Sequence, residues 1–93
     1  MRPGFDDNDR LYVVDRDNNR VQRCEYAGSA WTCSTFTSGF NNPSGLTLDS
    51  SDNVYVADSG NYRIRKCDPS GICSDFITGL SGWTVDVAVD SEG

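Results

Sequence analysis

Two groups of residues in this 93-residue chain have the types and the spacing that chemistry uses. Asp15 and Arg20 stand five positions apart with Asn18 between them, and Asp58, Asn61 and Arg63 repeat that spacing. A carboxylate beside a guanidinium could pair a general base with an electrophilic cation. Active sites are rarely written twice in one short chain, and a turn offers the same residues a structural use. There the Arg reaches the Asp and carbonyls of its own turn, and the Asn supplies a left-handed position. The set reads as a structural turn network, and no catalytic residue is assigned.

The second group is the four cysteines, Cys24, Cys33, Cys67 and Cys73. Their spacings, C-x8-C and C-x5-C, do not match the C-x2-4-C knuckles of structural zinc sites. A redox C-x-x-C beside a helix is also missing. The chain contains no histidine, which removes the commonest general base and metal ligand together. Acid-rich turns such as "FDDNDR", "DRDNN" and "DSSDN" hint at calcium, but "DRDNN" lacks the Gly and Glu that an EF-hand loop requires. No metal or cofactor is expected.

Fourteen acidic residues against eight basic ones give a net charge of −6, which disfavours a phosphate-binding surface and hence nucleic acid. Arg63, Arg65 and Lys66 read as a solvated strand face. No apolar run approaches the ~20 residues of a membrane helix, so no membrane partner is expected. The N-terminal "MRPGFDDNDR" is not an export signal, although four cysteines in a small acidic chain suggest an oxidising, extracellular setting. The expectation is a piece of a longer or processed secreted chain. The only N-glycosylation candidate, Asn42-Pro43-Ser44, carries the forbidding proline, whereas the Ser/Thr-rich run Thr32–Ser38 is open to O-linked sugar.

The elements that position these residues come from a repeat. "LYVVDRDNNRVQRC", Leu11 to Cys24, recurs 43 residues later as "VYVADSGNYRIRKC", Val54 to Cys67. Each copy opens with a short β-branched and aromatic run, passes a tight turn, and continues as a second strand, predicting a hairpin. "CSTFTSGF" and "CSDFITGL" then align as a third, more polar strand, and "GLTLDSSDN" leads into the second hairpin as an inner strand. No segment has a capped helical period, so helices are not predicted. The spacing predicts two four-stranded antiparallel units of about 41–43 residues, an all-β chain of propeller blades.

"NNPSGLTLDSSDNVYVADSGNYRIRKC" resembles the NHL repeat, with its Pro-x-Gly lead-in, a strand ending in Asp, "VYVAD" and "N-x-R-[IV]". The resemblance spans essentially the whole chain and implies β-propeller blades that belong to a larger propeller or assembly. Repeat one covers about residues 3–44 and repeat two about 45–82, leaving 83–93 as the inner strand of a further blade. Two departures stand out: "RPGFDDNDR" is no clean inner strand, and "WTVDVAV" replaces "PSGLTL". Metal-binding histidines found in some propeller enzymes have no counterpart.

Four cysteines allow three connectivities, and repeat symmetry favours Cys24–Cys33 and Cys67–Cys73, each stapling neighbouring outer strands. Tyr26 and Trp31 lie in the longer of the two intervening turns, with folding back on their own blade as the default. The expected function is a non-enzymatic extracellular module that acts as a scaffold or protein-binding unit. Two blades cannot close a ring, so the module would associate head to tail with its own copies or with neighbouring repeats, as a ring or a filament. The alternative is a fragment of a propeller lyase or hydrolase whose catalytic residues lie elsewhere.

Overall fold

A computed structural model describes residues 5–6 and 8–79. Its strands are β1 (Leu11–Asp15), β2 (Arg20–Ala27), β3 (Ala30–Ser38), β4 (Pro43–Leu48), β5 (Val54–Asp58), β6 (Arg63–Cys67) and β7 (Cys73–Ile77). They form two antiparallel sheets, β1-β2-β3 and β4-β5-β6-β7, in which sequence neighbours are also spatial neighbours. The all-β architecture and both predicted hairpins are present. The first sheet has three strands among the described residues, and its inner edge holds the single bridge Phe5–Leu11. The proposed inner strand at 83–93 lies outside the described residues.

Each hairpin turn is one turn of 3-10 helix, Arg16–Asn18 or Ser59–Asn61, closed by a left-handed residue. That residue is Asn19 in the first unit and Tyr62 in the second, both at φ 53°. The left-handed position thus falls one residue later than the sequence reading places it. Asn18 and Asn61 lie inside the 3-10 turn, where their side chains are free to reach back.

Both outer pairings carry a bulge at the same repeat position. Val21 pairs with Thr37 and Gln22 with Thr35, skipping Phe36; Ile64 pairs with Ile77 and Arg65 with Asp75, skipping Phe76. An extra residue locally re-aims a side chain. Here it sets Phe36 edge-on to Tyr12, with ring centroids 5.0 Å apart, and Phe76 edge-on to Tyr55 at 5.1 Å.

The main core joins the two sheets. Tyr12 and Val21 of the first unit pack with Leu48, Val54, Val56 and Cys67 of the second, with Phe40 between and Phe36 at the margin. A smaller cluster on the second unit, Tyr55, Ala57 and Ile64, uses the positions that Tyr12, Val14 and Val21 hold in the first. Two strands of the same composition therefore differ in burial. β5 is buried along its whole length, whereas β1 is mostly half-buried; Val56 is 0% exposed and its counterpart Val13 is 39% exposed.

Candidate functional site

The two 3-10 turns converge on the segment that links the sheets, residues 40–42. Asp58 is fully buried, and each of its carboxylate oxygens is occupied. Oδ1 accepts the Asn41 backbone N–H at 2.7 Å, while Oδ2 accepts Arg63 Nε at 2.7 Å and Asn61 Nδ2 at 3.1 Å. Gly60 N–H donates to the Asn41 carbonyl at 2.8 Å. A Cβ on Gly60 would lie 2.5–2.7 Å from Asn41 atoms, so only glycine permits this approach. From the other side, Asn19 Oδ1 accepts the Asn42 N–H at 2.9 Å and the Asn19 carbonyl accepts Phe40 N–H at 3.4 Å.

The equivalent set in the first unit keeps its internal bonds and lacks burial. Asp15 accepts Arg20 Nε at 2.8 Å, Asn18 Nδ2 at 3.1 and 3.2 Å, and Gln22 Nε2 at 3.2 Å. The Arg20 guanidinium, then Asn18, hold its carboxyl below the ordinary carboxylate range. Arg20 also reaches Thr35, and Arg63 reaches Asp75 in the same way. Each Asp–Asn–Arg set is thus brought together within its own unit, its donors and acceptors directed at one another and at neighbouring strands. Cys24 faces Cys33 across β2–β3 and Cys67 faces Cys73 across β6–β7, with both disulfides formed at Cα separations of 4.0 and 3.9 Å.

One polar site escaped the sequence reading. Asp6 accepts backbone N–H groups from Asn8 and Arg10, Arg10 Nε at 2.7 Å and the buried Tyr12 hydroxyl at 2.9 Å. Asp49 repeats it with Ser51, Asn53 and the Tyr55 hydroxyl at 3.0 Å. Burial pushes both carboxyls up, but the donors around them outweigh it and leave both below the ordinary value. The signal was an Asp-x5-Tyr spacing present twice, inside the turns that suggested calcium. Phe5 and Asp6 also occupy the places of Leu48 and Asp49, with Phe5 bridging Leu11 as Leu48 pairs with Val54.

Tyr26 and Trp31 do not fold back on their blade. They pack on each other across the longer hairpin at 5.3 Å and stay 60% and 49% exposed. Among the described residues no group of His, Cys, Asp or Glu is placed to hold a metal ion, and no helix is long and apolar enough to cross a membrane. The two disulfides fit an oxidising environment.

Antiparallel sheets whose strands follow in sequence, the first stacked on the second through two different faces, are consistent with β-propeller blades. Residues 40–67, from the linking segment to the end of β6, match the family model of the NHL repeat, so the second unit carries an NHL repeat. No curated protein matches the chain. An NHL repeat of this architecture is a β-propeller protein-binding module.

Proposed function

We propose that this chain is a non-enzymatic, extracellular scaffold that builds head to tail, with copies of itself or with neighbouring repeats, into a ring or a filament. One observation carries the reading. The units stack through two different faces, Tyr12 and Val21 of the first on Val54, Val56 and Cys67 of the second. Two-faced contacts of this kind add further units until a ring closes or a filament grows. A lack of chemistry supports the non-enzymatic part: the chain has no histidine, and its Asp–Arg sets are turned inward on their own turns. The paired cysteines support an oxidising, extracellular site of action. Sedimentation of the chain under non-reducing conditions tests the reading. A mass above the 10.2 kDa of one chain is expected, and a monomer at every concentration contradicts it.

A further inference from the structure

The joint between the two units is a template for a second joint. Its receiving surface recurs on the first unit and the flank of its inserting surface recurs, exposed, on the second, while Tyr55 and Ile64, the counterparts of Tyr12 and Val21, are already buried. In the existing joint the receiving surface is the second unit's Val54, Val56 and Cys67, all fully buried. The same surface on the first unit is Leu11, Val13 and Cys24, and there Val13 stands 39% exposed with Cys33 exposed beside it. The inserting surface of the existing joint includes Phe36 and Thr37 of β3. Phe36 packs at the margin of the shared core, and its carbonyl lies so close to the second unit's outer turn that a Cβ on Gly71 would meet it at 2.6 Å. Thr37 Oγ1 is 3.4 Å from Cys73 Sγ. The counterparts on the second unit, Phe76 and Ile77, are 54% and 45% exposed.

We infer that the Val13 surface of one copy receives the Phe76–Ile77 flank of a second copy of this chain, reproducing the internal joint between molecules. This rests on the head-to-tail reading above and specifies its surfaces. By repeat equivalence Val13 takes the place of Val56, and Ile77 approaches Cys33 as Thr37 approaches Cys73. The difference in hairpin length fits the same arrangement. The turn that lies against Phe36 is the short one at Gly71; its counterpart on the receiving copy is the longer hairpin tipped by Tyr26 and Trp31. Those two rings supply apolar cover where the second copy brings Phe76, a larger exposed surface than Phe36 presents. Large apolar side chains left exposed, Val13, Tyr26 and Trp31 on the first unit and Phe76 and Ile77 on the second, mark mating surfaces.

The test is a cross between two variants, each blocked on one surface. Val13→Arg destroys the receiving surface and Ile77→Arg the inserting flank; both positions are part-exposed, and retained disulfides and an unchanged circular dichroism spectrum check the fold. Each variant alone is expected to sediment as a monomer, while their equimolar mixture forms a heterodimer of twice the mass through its one intact pair of surfaces. A second cross, Trp31→Glu with Phe76→Ser, repeats the design at independent positions. A wild-type chain that is itself monomeric overturns the assembly reading as a whole. A wild-type assembly that survives either single block, or a mixture no heavier than its components, overturns this assignment of surfaces and leaves the broader reading standing.

Discussion

The Tyr55 hydroxyl donates to the Asp49 carboxylate at 3.0 Å across six residues, and the Tyr12 hydroxyl donates to Asp6 over the same reach at 2.9 Å. Each tyrosine is a buried residue of β1 or β5, and the aspartate belongs to the turn that enters that strand. Each pair therefore fixes the turn to the sheet. Tyr55→Phe removes one donor from a buried carboxylate and should cost about 1–2 kcal/mol, read as a fall in the urea midpoint with an unchanged slope.

The same carboxylates set the acid limb of stability. Both are held below their ordinary value in the folded chain, so folding favours the ionised form. That contribution is complete above the unfolded-state value of about 4 and is lost as pH falls through the lower folded values. Urea unfolding followed from pH 6 downward should show stability dropping below about pH 4. In Asp6→Asn with Asp49→Asn the profile should start lower and run flatter. An equally steep limb in that double variant would assign the acid response elsewhere.

Two aspartates with one local motif should respond unequally. Asp58 is buried and joins its turn to the linking segment through Asn41, while the side chain of Asp15 is 20% exposed and bonds only within its own unit. Asp58→Asn removes the buried carboxylate that holds Arg63 Nε and the Asn41 N–H and leaves Arg63 only the exposed Asp75, at a cost of about 3 kcal/mol, whereas Asp15→Asn should cost clearly less. Equal midpoints for the two variants would deny Asp58 its role in the joint.

Gly60→Ala places a methyl group against the Asn41 backbone and should cost about 1–3 kcal/mol by overpacking. Gly28→Ala meets open space at a positive φ and should cost about 1 kcal/mol. Melting temperatures of the two single variants, compared side by side, check the order.

The disulfides should reduce in sequence. Cys67 is fully buried in the joint and Cys73 part-buried, whereas Cys33 is exposed. Brief treatment with a mild reductant, then alkylation and peptide mass analysis, should label Cys24 and Cys33 first. Simultaneous labelling of all four would mean that the joint gives no protection.

Much of this was legible because the chain states its design twice. The apolar runs at Leu11–Asp15 and Val54–Asp58 announced strands, and the length difference between repeats, confined to the segment between cysteines, marked the outer turns. The joint was harder to see. Asn19 is Tyr62 in the second unit, so the residue that binds Asn42 is invisible to a search for recurring letters. Asp6 and Asp49 do recur, but in acid-rich turns, and a carboxylate satisfied by backbone N–H groups reads the same in sequence as one open to a cation. The unequal burial of Val13 and Val56 depends on which unit has a neighbour, a fact about stacking that neither repeat encodes alone.

The cross-strand disulfides also bear on mechanics. A chain pulled at its two ends would straighten at about 3.5 Å per residue, but the segments bounded by Cys24 and Cys33, and by Cys67 and Cys73, are bypassed by the covalent bonds. Roughly 30 Å of extension is withheld in the first unit and 20 Å in the second. The force path crosses each outer turn through sulfur, so the Tyr26–Trp31 hairpin tip bears no tension even when the strands around it are torn apart.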